Sequence, residues 1–258
     1  MKIVILCGGK GTRLREETEF RPKPMVEIGG HPILWHIMKN YAVYGFHEFV
    51  LCLGYRGDVI KEYFLSYESM HNDFTVQLGQ PESIQYHGHH NEDDFSVTLA
   101  STGENTMTGG RLQRVKKYID DDLFMLSYGD GLANVDIRAL VAFHRSHGRI
   151  GTVTSVQPDN RFGVIDADEQ FQVKNFAEKP KIESWISAGF FVFNKQFFDY
   201  LGNDNCILER DPLERLSADG QLMTFRHQGF FFAMDTFREY LYLNELWEQG
   251  NAPWKTWT

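Results

Sequence analysis

The octapeptide Cys7-Gly-Gly-Lys-Gly-Thr-Arg-Leu14 follows directly on Lys2-Ile-Val-Ile-Leu6. A short unbroken apolar run of this kind reads as a strand covered on both faces. Three glycines where that strand ends let the backbone come close to a neighbour, which can be a nucleotide or a tightly packed helix.

Working outward, helical and strand-like segments alternate. Pro32 to Tyr44 carries Ile33, Leu34, Ile37, Met38 and Tyr41 at helical spacing, opened by a proline and stopped by Gly45. Phe49–Leu53 reads as a strand, Asp58–Tyr67 as a helix, Leu123–Ser127 as a buried strand before Tyr128-Gly-Asp-Gly131, and Val135–His147 as a helix ended by Gly148. This rhythm predicts an α/β fold, with a Rossmann-like, mostly parallel mixed sheet flanked by helices. In the second half, Gly163–Asp166 and Phe171–Phe176 read as a hairpin around residues 167–170, a small antiparallel elaboration. Ser187–Phe193, Leu222–Phe225 and Gly229–Met234 read as strands, with helices near Pro212–Leu216 and over Tyr240–Trp247. With no linker, repeat or low-complexity tract, residues 1–258 are expected to form one domain. Residues 1–150 would mainly bind a nucleotide, and 151–258 would mainly bind a second substrate and make oligomer contacts.

The composition excludes some classes. A net charge of −9 argues against general affinity for nucleic acid or anionic membrane. Apolar runs fall short of the ~20 residues of a membrane span, and the N-terminal one is too short for a signal peptide. Cys7, Cys52 and Cys206 are odd in number and far apart, which favours reduced thiols and a cytoplasmic setting. A small buried hydrophobe is the expected role of Cys7.

Gly9-x-Gly11 supplies two glycines of the dinucleotide fingerprint, but Leu14 occupies the third position, which counts against an NAD(P)-dependent oxidoreductase. No Gly-Lys-Ser/Thr follows at P-loop spacing. What strengthens the loop is its charge. Lys10, Arg13, Arg15, Arg21 and Lys23 fall within fourteen residues, against Glu16, Glu17 and Glu19. Five cations beside a glycine turn in an acidic protein point to phosphate, held by backbone N–H groups and a forked guanidinium. Pro22 and Pro24 bracket Lys23 and restrict its backbone.

Gly8-Gly-Lys-Gly-Thr-Arg-Leu14 followed by Arg21-Pro-Lys-Pro-Met25 resembles the signature of the sugar-1-phosphate nucleotidyltransferases. Five further strings resemble the glucose-1-phosphate cytidylyltransferase branch: Arg21–Phe46, Thr106–Val115 (which opens Thr-Met-Thr-Gly-Gly-Arg111), Tyr128–Ile137 (which opens Tyr-Gly-Asp-Gly131), Ala233–Glu239 (which opens Ala-Met-Asp-Thr236) and Ala252-Pro-Trp-Lys-Thr-Trp257. The resemblance implies a Mg²⁺-dependent in-line attack of α-D-glucose 1-phosphate on the α-phosphorus of CTP, giving CDP-glucose and pyrophosphate for surface-polysaccharide sugars such as those of O-antigen. It implies that Leu6, Gly8, Gly9, Gly11, Thr12, Arg13, Lys23, Thr106, Arg111 and Gly129 bind the nucleotide, with Arg13, Lys23 and Asp130 catalytic. Asp130 and Asp235 would bind the metal. Gly163, Glu178, Lys179 and Gly189 would bind the sugar phosphate, and the chain would form a homo-oligomer, with a hexamer as one expected size. Ser101 and Phe232-Ala233 depart from the branch pattern, near the expected site, and leave substrate preference open.

Two alternatives stay open: a related uridylyl- or thymidylyltransferase acting on another hexose phosphate, and a non-catalytic sugar-nucleotide-binding protein. Asp130 read alone is also a turn carboxylate, and Asp235 a helix N-cap before Thr236. His87-Gly-His-His90 reads as a solvated histidine cluster rather than a zinc site. His144 and His147 read as packing or surface residues, Asp120–Asp122 as a solvated turn, and the aromatics from Phe225 to Tyr242 as core or subunit contacts.

Overall fold

A computed structural model describes residues 1–80, 83–158, 162–181 and 183–257, with the side chains of Arg15 and Glu16 outside the description. Its centre is a seven-stranded sheet. The strands are β1 (Ile3–Cys7), β2 (Glu48–Leu53), β3 (Ser96–Ser101), β4 (Leu123–Tyr128), β5 (Gly151–Val156), β6 (Ile186–Asn194) and β7 (Leu222–Arg226). Their spatial order is β7-β5-β6-β4-β1-β2-β3. β1 pairs in parallel with β2 and β4, β2 with β3, and β5 with β7; β6 runs antiparallel to both β4 and β5. The sheet is thus mixed and mostly parallel, as the alternating sequence pattern predicts, and it joins strands from both halves of the chain.

The helices are α1 (Ile33–Ala42), α2 (Gly57–Leu65), α3 (Thr108–Val115), α4 (Ile137–His147), α5 (Asp211–Ala218) and α6 (Phe237–Glu248). Sequence signals set several of their ends. Asp136 caps α4 by accepting from the Ala139 amide, and Gly148 ends it at φ 65°. Thr236 and Glu239 form a capping box at the start of α6. Asp235 therefore lies outside the cap, and its carboxylate is not committed to the helix.

Apolar side chains on the two faces of the sheet form two core layers. On one face Ile3, Ile5, Ile37 and Met125 pack together, and Trp254 from the C-terminal segment is wholly buried. On the other face Val4, Leu126, Phe191, Phe193 and Phe198 pack beneath α3 and α5.

Two strands of the main sheet, β3 and β5, are absent from the sequence reading. The expected hairpin is present as Val164–Ala167 paired with Val173–Ala177, and it is bonded to no strand of the main sheet. A second projecting ribbon, Phe74–Val76 paired with Ile84–Tyr86, lies in the first half, where no antiparallel element is predicted. The histidine cluster is corrected in part. His89 is exposed, but the His90 side chain is 9 % exposed, donates from Nε2 to Glu68 and accepts the Glu92 amide at Nδ1. His144 is a packing residue, bonded to Thr152 and Asn194. No group of three metal-ligating side chains occurs among the described residues.

Candidate active site

β1 and β4 lie side by side in parallel, so their carboxyl ends open onto the same edge of the sheet. A cavity of about 500 Å³ sits there. Open α/β sheets bind ligands at this edge. Residues 7–13 form one wall, the turn 128–130 another, residues 104–108 and Arg111 a third, and Lys23 and Asp235 close the ring. Every residue expected to bind nucleotide or metal lines this space: Leu6, Gly8, Gly9, Gly11, Thr12, Arg13, Lys23, Thr106, Arg111, Gly129, Asp130 and Asp235.

The local backbone explains how charges so distant in sequence meet. Gly131–Ala133 pairs antiparallel with Phe231–Ala233, and the Met234 amide donates to the Asp130 carbonyl at 3.0 Å. That ladder carries Asp235 to Asp130 across 105 residues of chain (235 against 130). Lys23 sits in a short 3₁₀ turn, Lys23–Met25, entered from the extended residue Pro22. The turn buries the lysine to 9 % exposure. Its ammonium donates to Asp130 Oδ2 at 2.6 Å and to Asp235 Oδ1 at 2.7 Å. Arg13 Nη1 reaches Asp235 Oδ2 at 3.0 Å from a side chain that is 71 % exposed. Two cations and two carboxylates thus form one chain of alternating charge on the cavity wall. Charged groups pulled this far from water persist only when paired in this way.

Arg111 is 5 % exposed and is held differently. Its guanidinium donates to Leu53 O (3.2 Å), Thr102 Oγ1 (2.9 Å), Gly8 O (3.1 Å) and Glu104 O (3.1 Å). All four acceptors are neutral, so the charge is solvated by dipoles but not cancelled by them, and burial lowers the pKa of the group. Arg111 also explains Gly8, because a β-carbon there would collide with the guanidinium. Gly9 differs: nothing of the protein lies within 4 Å of where its β-carbon would stand.

Cys7 lines the same cavity, but its thiol is fully buried and pushed well up from its usual range by desolvation. It carries no thiolate near neutral pH, which removes it as a nucleophile. The acidic pair suits a hard divalent cation of the Mg²⁺ type, which takes oxygen ligands and needs only one or two carboxylates from the protein, the rest coming from phosphate and water. One ammonium already bonds both carboxylates, so they converge closely enough to share a cation.

The four residues expected to bind sugar phosphate are split. Glu178 and Lys179 stand at the end of the separate hairpin, with side chains 63 % and 51 % exposed, and neither lines the cavity. A β-carbon at Gly163 would lie 3.1 Å from Glu178 Oε2, so these two are neighbours. Gly189 lies on β6 at φ 77°, directly against the ring of Tyr128, which does line the cavity. Lys179 has φ 46°, a left-handed conformation unusual for a residue with a β-carbon.

Tyr128, Glu104, Asn105, Met107 and Thr108 also line the cavity without having been singled out from the sequence. Their signal is adjacency to Gly129-Asp130 and to Thr106 and Arg111. Ser101 and Phe232-Ala233, expected near the site, are not part of its wall: Ser101 accepts from Lys61, and Phe232 packs on Tyr242.

Comparison with known proteins agrees with this geometry. Residues 2–219 match the family model described as nucleotidyl transferase. The chain is 50 % identical, over the full length of both proteins, to a glucose-1-phosphate cytidylyltransferase of Salmonella typhi. It is 45 % identical, again full length, to a probable glucose-1-phosphate cytidylyltransferase of Bacillus subtilis. Among solved structures, HddC from Yersinia pseudotuberculosis superposes with a TM-score of 0.69 at 25 % identity, covering 95 % of this chain and 99 % of that one. A UDP-glucose pyrophosphorylase shares the fold at 15 % identity, with a TM-score of 0.69 and coverage of 96 % and 98 %. A glycine loop on the first strand, a cavity at the sheet edge lined by Arg13, Lys23 and Arg111, and end-to-end similarity to these enzymes converge on one assignment: the chain belongs to the nucleotidyl transferase family.

Proposed function

We propose that the protein transfers CMP from CTP to α-D-glucose 1-phosphate, releasing pyrophosphate and forming CDP-glucose. The observation that carries this reading is the alternating cluster Arg13–Asp235–Lys23–Asp130 beside the glycine loop. The reaction brings two polyanions together and needs no enzymic nucleophile. A phosphate oxygen of the sugar phosphate forms a bond to the α-phosphorus of the triphosphate while the bond from that phosphorus to the bridging oxygen of pyrophosphate breaks. Fixed cations must therefore offset charge repulsion and hold the two reactants in line.

Each residue has work in that scheme. Backbone at Gly8, Gly9, Gly11 and Thr12 lies along the triphosphate. Arg13, whose side chain is exposed, takes the β- and γ-phosphates and stays with departing pyrophosphate. Lys23 moves its ammonium from the carboxylates to the reacting phosphoryl group. Arg111 supplies the uncancelled charge at the nucleoside end, with Thr106 and Gly129 beside it. Asp130 and Asp235 would hold Mg²⁺, which supplies Lewis-acid neutralisation of the phosphate oxygens. Gly163, Glu178, Lys179 and Gly189 would receive the sugar phosphate, with the hairpin reaching it at the open side of the cavity.

CTP as donor and glucose 1-phosphate as acceptor are supported by the full-length identity to enzymes bearing those names. No helix is long and apolar enough to cross a membrane. Three free cysteines, Cys7 and Cys52 buried and Cys206 partly so, and use of a nucleoside triphosphate favour a cytoplasmic enzyme. For a homo-oligomer, up to a hexamer, support comes from the ribbon 74–86, whose Phe74, Val76, Ile84 and Tyr86 side chains are each about 40 % exposed on one face.

The test is pyrophosphate release from CTP, UTP, dTTP, ATP and GTP, each with glucose 1-phosphate, with and without Mg²⁺. The reading predicts release with CTP that needs both the sugar phosphate and the metal. Release with another nucleotide alone would reassign the base. No release from any pair would leave a binding protein.

A further inference from the structure

Tyr128 ends β4 one residue before Gly129-Asp130 and lines the cavity. Three contacts fix its ring. The Cδ2 side of the ring abuts Gly189, where a β-carbon would collide with it. An edge meets Phe191, with ring centroids 6.2 Å apart and planes at 79°. The hydroxyl donates to Glu209 Oε1 in a short bond. The other carboxylate oxygen, Oε2, accepts the Thr108 hydroxyl at 2.8 Å. Thr108 itself lines the cavity and is held from behind by the Leu208 amide at 2.9 Å.

Glu209 thus spans two walls of the cavity without touching its interior, since it is not among the lining residues. It arrives on a segment clamped to the start of α3. The Met107 amide donates to Asp204 O (2.8 Å), the Gly109 amide to Cys206 O (2.9 Å), and Arg114 pairs with Asp204. The end of this clamp that reaches the reactants is the Glu209–Tyr128 bond. Gly189 leaves room for the ring and Phe191 supports one edge of it. The hydroxyl anchor to Glu209 fixes its outer end.

We propose that Glu209 is a positioning residue that acts through Tyr128. It holds the ring as the wall between the nucleotide cavity and Gly189, and this wall seats the pyranose of the acceptor. An aromatic ring in the cavity wall beside bare glycine backbone suits the apolar C–H face of a sugar ring, and its tethered hydroxyl stops the ring from swinging into the path of attack. The proposal rests on the nucleotidyl-transfer reading above.

The experiment compares Glu209→Ala, Glu209→Gln, Tyr128→Phe, the double variant Glu209→Ala/Tyr128→Phe, and Asp204→Asn as a clamp control away from the cavity. KM for glucose 1-phosphate and for CTP is measured alongside calorimetric titration of each ligand and thermal unfolding. Glu209→Ala and Tyr128→Phe should each raise the glucose 1-phosphate KM by roughly tenfold, the scale of one lost charge-assisted hydrogen bond. The CTP KM should stay within about twofold, a change too small for a lost hydrogen bond. The double variant should be no worse than Glu209→Ala alone, because the two changes break one bond. Glu209→Gln keeps an acceptor for the hydroxyl and should recover most of the loss, while Asp204→Asn should leave the ratio of the two KM values unchanged. An unchanged sugar-phosphate KM in Glu209→Ala, a parallel rise in both KM values with a lower Tm, or multiplicative effects in the double variant would overturn the proposal. Wild-type protein that releases no pyrophosphate refutes the nucleotidyl-transfer reading. The calorimetric arm then decides separately: binding of glucose 1-phosphate lost in Glu209→Ala upholds the positioning role, and no binding by wild type refutes it.

Discussion

Replacing Lys23 by Met should destabilise the protein in the absence of metal and make it respond to Mg²⁺. The ammonium lies 2.6 Å from one carboxylate and 2.7 Å from the other. At an effective dielectric of ~20, each pair attracts by about 6 kcal/mol before desolvation is subtracted. Removing one partner of a buried pair costs about 3–5 kcal/mol, because the remaining charge is stranded. Here the low end applies, since Asp130 is 33 % exposed and Arg13 still reaches Asp235. A loss of about 3 kcal/mol corresponds to a fall in Tm of roughly 6–12 °C for a chain of this size. Met keeps most of the lysine's volume, so packing contributes little. Asp130 and the Asp235 oxygen released by the lysine should then form a divalent-ion site. Mg²⁺ at 100 times its Kd should restore about 2.7 kcal/mol. In the wild type the ammonium competes for the same oxygens, so Mg²⁺ alone should shift Tm by less. The assay is thermal unfolding of both proteins in EDTA and in millimolar Mg²⁺. Equal stability in EDTA, or equal Mg²⁺ shifts in the two proteins, would refute the reasoning. Turnover of Lys23→Met should fall by about 10²–10³-fold, as for loss of one oriented donor to a developing charge.

Gly9→Ala should leave Tm within about 1 °C, since its methyl meets no protein atom and substitutions free of new contacts cost little; titration with CTP should show weaker binding. Gly8→Ala should lower both Tm and CTP affinity because it displaces Arg111. Lys179→Gly should be more stable than Lys179→Ala by about 1 kcal/mol, because glycine relieves the left-handed backbone; both variants should show a raised sugar-phosphate KM. His36 is wholly buried, donates to Ile28 O from Nε2 and accepts from Trp254 at Nδ1, which fits the neutral ring. Burial holds its pKa at about 4, against 6.5 unfolded. The unfolded chain therefore takes up the proton first as pH falls. The stability that His36 contributes is intact above pH 6.5 and is lost towards pH 4, by about 3 kcal/mol in all. Urea unfolding at pH 7 and pH 4.5 should show the slope, and His36→Gln should flatten part of it. His31, His144, His147 and His227 are lowered by burial too and should keep the remainder.

The legible parts of this chain were those where one physical demand dominates a short window. The run Ile3–Leu6 disclosed a buried strand, and the loop 7–14 a cationic glycine turn that lines the cavity at its end. β5 escaped because it reads Gly-Thr-Val-Thr-Ser-Val, without the apolar continuity of a buried strand. Its Thr152 is nevertheless wholly buried, satisfied by His144 and His147 from the facing helix. α3 escaped because Gly109-Gly110 resembles a turn. The glycines are there for close approach, since β-carbons would strike Cys206 and the backbone of residues 203–204. Asp235 read alone was indistinguishable from an N-cap. Only the three-residue ladder to Gly131–Ala133 and the capping box of Thr236 with Glu239 separate the two roles. Glu209 carried no local signal, and nothing in the sequence joined it to Tyr128, because their partnership spans 81 residues. His90 looked solvated beside His89, and its burial depends on Tyr67 and Glu68 from a helix twenty residues away.

The central claim is that Lys23, Asp130 and Asp235 surround one shared site at which a divalent ion meets a nucleoside triphosphate. Anomalous diffraction from crystals grown with Mn²⁺ and a non-hydrolysable CTP analogue tests it directly. The account predicts a single strong peak within coordination distance of both Asp130 and Asp235, with the α-phosphate beside it and the Lys23 ammonium moved onto phosphate oxygen. A peak away from either aspartate, or a triphosphate lying outside the loop 8–13, would contradict it.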